Sequence, residues 1–181
     1  MTDDPAARTA LADAVREIER HVAAAGWDAP VRVFALVRTA AALAAEPALA
    51  DQLTPDVIAA AGVQPWHLTS VEQEGLPAAA DLESLLAALS WPGTVDGVAL
   101  SVERVVLPPD AESDLPADPD EALALLMEHP DRQDVRLVVG VLRDGLAWCA
   151  VRTRAHDADD RVGEGADVVP GLVEALRATF A

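Results

Sequence analysis

At 181 residues the chain is long enough for one domain with a real core and short for two, so residues 1–181 are expected to fold as a single unit. Half of it is apolar (51%) but only 3% is aromatic, so alanine, leucine and valine supply the core and four tryptophans (Trp27, Trp66, Trp91, Trp148) and two phenylalanines (Phe34, Phe180) are its expected anchors. A formal charge of −18 repels phosphate backbones and anionic lipid, which argues against nucleic-acid and membrane partners.

The charge is uneven. Residues 1–38 hold five arginines against six acids, residues 39–103 hold nine acids and no arginine, and residues 131–161 hold six of each. All thirteen cations are arginine, and lysine, asparagine and tyrosine are absent. The codons of those three are AT-rich, which points to a high-GC bacterial genome and makes the arginine excess partly a codon effect. The N-terminus is acidic, without the apolar stretch of a secretory signal, and no window approaches the roughly 20 apolar residues of a membrane span. A cytoplasmic location follows as an expectation, in keeping with a lone cysteine, Cys149, that leaves no disulfide framework and no CxxC pair.

In chain order, Thr2, Asp3 and Asp4 can cap a first helix, with Pro5 in its first turn. Leu11, Val15, Ile18 and Val22 make its apolar stripe, Arg16, Glu17, Glu19 and Arg20 are assigned to solvent, and Gly26 ends it. Val31–Val37 reads as a central strand, apolar on both faces. Thr39 to Ala61, broken by Pro47 and Pro55, fits two short helices, the second starting at Thr54-Pro-Asp56. A short strand is possible around His67–Glu72. Residues 79–89 carry a leucine stripe (Leu82, Leu85, Leu86, Leu89) ended by Trp91-Pro92-Gly93. Val98, Leu100, Val102 and Val106 alternate in the next strand.

Residues 108–118 are proline- and acid-rich and read as an exposed loop. Asp118-Pro-Asp-Glu121 starts a helix whose Leu123, Leu126 and Met127 are expected to face inward. Val135–Leu142 and Leu146–Thr153 flank Asp144-Gly145, a preferred two-residue type I′ turn. That turn places Val141 opposite Trp148, Gly140 opposite Cys149, Leu137 opposite Arg152 and Val135 opposite Arg154. A last helix runs from about Val168 to Phe180, capped by Asp167. The expected fold is a single α+β domain: a mixed or mostly antiparallel sheet of four to five strands, packed helices, and this C-terminal hairpin at its centre.

Candidate chemistry is sparse. His156, Asp157, Asp159 and Asp160 form the densest group of hard-metal ligands, but position five of an EF-hand would be Arg161, and a solvated acidic loop is the ordinary reading. Cys149 sits in mid-strand, where an inert packed thiol is expected rather than an activated one. His129 suits a helix C-terminus, and His67 has no local partner. Glu72 and Glu74 could pair for acid–base work, or simply flank a turn. There is no GxGxxG, no GxSxG, and a P-loop lysine is impossible in a lysine-free chain; no cofactor is implied. Arg152 and Arg154, with His156 beside them, stand either at the wet edge of the sheet or in a polar pocket that binds an anion or a partner carboxylate by forked hydrogen bonds.

Several strings carry a resemblance: Trp27-Asp28, Phe34-Ala-Leu-Val37, Val71 to Pro77, Val102-Glu-Arg104 with Leu107-Pro-Pro109, His129 to Gln133, Gly140 to Gly145, and Trp148-Cys149 with Arg152, Arg154 and His156-Asp157. Together they resemble a family of hypothetical proteins from high-GC actinobacteria. The resemblance covers nearly the whole chain and implies no activity and no catalytic residues. The functional expectation is therefore a non-catalytic adaptor with an acidic surface, binding a protein partner or a second copy of itself. The alternative is a hydrolase, metal-assisted through His156, Asp157, Asp159 and Asp160.

Overall fold

Both faces of the Val31–Val37 run are apolar, and most of it becomes the second strand of an open six-stranded sheet. The computed structural model describes residues 4–180. Its strands are β1 (Arg32–Arg38), β2 (Leu68–Glu72), β3 (Gly97–Val106), β4 (Gln133–Leu142), β5 (Ala147–Thr153) and β6 (Gly163–Gly165). They lie in the order β2-β1-β3-β4-β5-β6, and every neighbouring pair is antiparallel. The sheet exceeds the expected four to five strands because of β6. Its Gly-Glu-Gly sequence carries no apolar period to read, and it exists through its pairing of Gly163, Glu164 and Gly165 with Val151, Ala150 and Cys149.

The β4–β5 hairpin forms one residue away from the expected register. Gly140 faces Trp148, Val139 faces Cys149, and Arg136, not Leu137, faces Arg152. A type I′ turn needs left-handed backbone at both central residues. Here Gly145 has φ +95°, but Asp144 does not enter that region. The loop instead takes three residues: Leu142 N–H donates to the Leu146 carbonyl at 2.8 Å, and Asp144 Oδ1 accepts from Leu146 N–H at 3.0 Å. Arg143 is drawn away from the ladder, its N–H donating to the Asp96 carbonyl and its guanidinium to the carbonyls of Trp91, Pro92 and Val95. A one-residue slip exchanges the faces on which the two strands' side chains meet. Arg152 therefore shares a face with Arg136, Val138 and Ala150 instead of Leu137, Val139 and Val141, and Arg154 leaves the ladder for a 3-10 turn at Arg154–His156.

That face is covered by α1 (Pro5–Ala23), capped by Asp4, whose carboxylate accepts from Ala6 N–H; Thr2 and Asp3 lie outside the described residues. Leu11, Val15, Ile18 and Val22 bury against Phe34, Leu36, Ala99, Val138, Leu142 and Ala150. Gly140 permits this approach: a Cβ there would stand 2.7 Å from Val15 Cγ2. Glu19, expected in solvent, is only 2% exposed and points into the sheet.

At one end of the sheet lie α2 (Thr39–Ala45), a 3-10 turn (Pro47–Asp51) and α3 (Pro55–Val63), capped by Thr54. The other face buries Val98, Leu100, Val102, Leu137, Val139, Val141 and Cys149 under α4 (Leu82–Ala87) and the C-terminal helix. Within the acidic loop, α5 (Pro109–Glu112) is a single turn. In α6 (Pro119–Glu128), capped by Asp118, no residue is buried, and Leu123 and Met127 are 56% and 46% exposed instead of facing inward. The C-terminal helix, α7 (Pro170–Ala178), starts at Pro170 with Val169 in the cap position, so Asp167 is not its cap. Among the described residues no helix is long and apolar enough to cross a membrane.

None of the four tryptophans is fully buried. Each spends its indole N–H on a partner: Trp27 on Asp157, Trp66 on Asp4, Trp91 on Thr179 and Trp148 on Glu164. They anchor the domain at its edges, as a ring with one polar handle does.

Candidate functional site

The corrected register puts Arg152 on the α1 face, and Glu19 on α1 reaches it. Arg152 Nε donates to Glu19 Oε1 at 2.6 Å and Nη2 to Oε2 at 2.7 Å, a forked pair closed to water. Asp157 accepts from Arg152 Nη1 at 3.1 Å and Asp159 from Nη2 at 2.7 Å. These carboxylates, Glu19 foremost, hold the guanidinium charged well above its ordinary range. One cation thus ties α1, β5 and the loop after β5 together.

Next to it, Arg136 is 0% exposed. It donates to the Gly26 carbonyl and to Glu103 Oε1, and its guanidinium carbon lies 4.3 Å from the centroid of Trp27. Arg154 also lies over Trp27, at 5.3 Å, and pairs with Asp28. Asp28 has φ +66°, a left-handed conformation that an aspartate tolerates better than most residues. Its N–H donates to Glu103 Oε2 at 2.8 Å, which holds that turn against β3. The Trp27 indole N–H, and then Arg152, hold Asp157 below the usual carboxylate range; Arg154 does the same for Asp28.

This geometry decides what the sequence candidates have available. Four of the Arg152 hydrogen bonds and those of Arg154 end on the chain's own carboxylates, where an external anion would have to compete. Of the four proposed metal ligands, Asp157 and Asp159 point at Arg152, and His156 and Asp160 stand exposed on separate 3-10 turns. Among the described residues no group of three His, Cys, Asp or Glu side chains is arranged to hold a metal.

The remaining candidates are dispersed. Glu72 is paired with Arg32, both contacts at 2.6 Å, rather than with Glu74. His67 Nδ1 meets the Thr39 hydroxyl at 2.8 Å, and that hydroxyl also meets Thr69. His129 follows α6 and accepts from Asp131 N–H. Cys149 is fully buried, and burial pushes its thiol pKa up.

On the opposite face of the sheet lies a cavity of about 920 Å³ between α4 and α7, floored by Leu137 and walled by Leu82, Leu86, Leu89, Val169 and Leu172. Arg104 lines it, extending the Val98, Leu100, Val102 face of β3 by one pleat. Thr179 is also in the lining, but its hydroxyl donates to the Leu176 carbonyl and accepts from Trp91. Sequence reasoning missed this cavity because α4 and α7 come together only in the fold. It also missed Glu19 and Arg136. Glu19 lies one turn after Val15 on the apolar stripe, and Arg136 interrupts an apolar strand, so both positions carried a readable signal.

A family model described as PPA1309-like protein matches residues 11–181. The chain belongs to that family. The match covers both the arginine cluster and the cavity, so each is built from family sequence and not from an appended segment. Comparisons with curated proteins and with solved structures found no match.

Proposed function

We propose that this member of the PPA1309-like family is a non-catalytic, cytoplasmic protein-binding module, and that α6 is part of its docking surface. The observation that carries the reading is the state of that helix: it buries no residue and presents Leu123, Leu125 and Met127 about half exposed. Large apolar side chains grouped on one exposed element mark interaction surfaces more often than isolated ones do. Asp118, Asp120, Glu121 and Glu128 flank them in the sequence. Leu123 and Met127, one turn apart, share a face of α6, and that apolar pair within an acidic helix suits a partner segment that is apolar with basic flanks. A second copy of the same helix would bring like charges together, so a different protein is favoured over self-association. The codon signature and the resemblance read from the sequence support an origin in a high-GC actinobacterium.

The metal-assisted hydrolase alternative draws no support from the site, where two of its four carboxylate and imidazole groups are already bound to Arg152. The test of the adaptor reading is a comparative capture from the native lysate with the full chain and a Leu123→Ser, Leu125→Ser, Met127→Ser variant. A specific protein should be retained by the native chain at low salt. It should be lost to the variant, and weakened in about 1 M salt, where the Debye length is about 3 Å. Identical capture by both chains removes the reading.

A further inference from the structure

The α4–α7 cavity combines two features that point to one kind of ligand. Its walls are leucine and valine, and its volume of about 920 Å³ lies at the upper end of the range for small-molecule pockets, roughly 300–1,000 Å³. Its one cation is Arg104. In a chain where acids outnumber arginines 31 to 13, the Arg104 side chain makes no hydrogen bond or ion pair among the described residues. Its neighbours in the sheet are all engaged: Glu103 with Arg136, Arg136 with Trp27, and Arg152 with Glu19. Glu83 is the lining's one carboxylate, and among the described residues no ion pair joins it to Arg104.

We infer that this cavity binds an aliphatic carboxylate, its chain lying along Leu82, Leu86, Leu137 and Leu172 and its head group taken by the Arg104 fork. An arginine pairs with a carboxylate through two parallel N–H donors, which fixes orientation as well as affinity. A hydrocarbon chain makes no demand for hydrogen bonds along its length. An extended peptide in the same place would bury backbone amides against leucine walls, and each unsatisfied amide costs free energy. The Thr179 hydroxyl offers such amides little, since it already serves Leu176 and Trp91. The site stands on the face of the sheet opposite the arginine cluster and does not depend on the docking role of α6.

The experiment is calorimetric titration of the full chain with dodecanoate, dodecanol and a leucine-rich peptide bearing a free C-terminal carboxylate, with far-UV circular dichroism to confirm that the fold persists. Dodecanoate should bind one to one, at least about tenfold tighter than dodecanol, the difference a charge-assisted hydrogen-bond pair provides. Arg104→Gln, a substitution at an exposed side chain, should erase that preference while dodecanol binding stays unchanged. Leu172→Glu, at the partly exposed rim, should abolish both. Absence of dodecanoate binding to the folded chain overturns the assignment. So does equal affinity for acid and alcohol, or an Arg104→Gln variant that keeps the native preference. A peptide that displaces dodecanoate at lower concentration also overturns it, in favour of a protein tail as occupant.

Discussion

Glu19 on α1 and Arg152 on β5 meet through two parallel hydrogen bonds of 2.6 and 2.7 Å, with both side chains all but excluded from water. Such a pair adds little net stability over a well-packed apolar pair of the same volume, but removing one member strands the other charge in the interior. Arg152→Ala, which leaves Glu19 buried without its partner, should cost about 3–5 kcal/mol, read as a fall in the urea midpoint at unchanged slope; Glu19→Ala should cost less, because Asp157 and Asp159 still accept from the Arg152 guanidinium. Glu19→Leu combined with Arg152→Met should lose much less than the sum of the single changes, because no buried charge is then left unpaired, Asp157 and Asp159 being exposed. An Arg152→Ala cost near the roughly 0–1 kcal/mol of a surface pair would show that the interior contact is not formed.

Gly140 marks the closest approach of α1 to the sheet. A Cβ placed there would lie 2.7 Å from Val15 Cγ2 and 3.0 Å from Leu11 Cδ1. Gly140→Ala should therefore destabilise by about 1–3 kcal/mol, the usual cost of overpacking. In a Val15→Ala background the same substitution should cost clearly less, since the clashing methyl is gone. Additive effects in that double-mutant cycle would place the tight contact elsewhere.

Much of the architecture was legible because period and turn residues encode it locally. Leu11, Val15, Ile18 and Val22 define the buried stripe of α1, and Asp118 and Thr54 cap their helices where expected. Errors arose where a long-range contact settled a local choice. The pull of Asp96 and Val95 on Arg143 lengthened the hairpin loop and moved Arg152 to the other face. That one-residue shift places Arg152 on the α1 face beside Glu19, where it becomes the hub of an internal charge cluster. Glu19 looked like a surface residue because its partner lies 133 positions away. Leu123 and Met127 have the spacing of a core stripe, and an amphipathic pattern is the same whether the helix packs its apolar face inward or leaves it exposed, as here.

Acid should loosen the cluster in a directed way. The Trp27 indole N–H and Arg152 lower the pKa of Asp157, and Arg32 lowers that of Glu72. Unfolded, these carboxyls titrate near about 3.9 and about 4.3. A pKa depressed by folding contributes stability that is fully present above the unfolded value and lost as pH falls through the folded one. The urea midpoint should therefore be flat from neutral pH to about pH 5 and decline below it. Trp27→Phe removes the indole donor, so Asp157 should respond less to folding and the decline should become shallower. An unchanged acid slope in that variant would show that the indole does not set the Asp157 titration.

Cys149 offers a chemical probe of how the hairpin opens. It is fully buried among Val139, Val141 and Val173, its sulfur 4.0 Å from the Ala166 carbonyl, and burial pushes its pKa up. Thiolate is the reactive species, so the folded chain is protected twice, by low ionisation and by lack of access. On the outer edge of β5 the Cys149 backbone is covered by β6, a three-residue strand that pairs Gly165 with Cys149. Its departure would bare the edge of β5 but not the thiol, which lies under α7 on the Val173 side. Reaction with an aromatic disulfide reagent at neutral pH should thus be at least about a thousandfold slower than for the unfolded chain, in line with the small population of open molecules in a stable domain. The rate should rise with urea along the slope of global unfolding. Prompt reaction of one equivalent without denaturant, or a rate independent of urea, would show that β6 and α7 lift away together and that the cavity beside them opens in the native state.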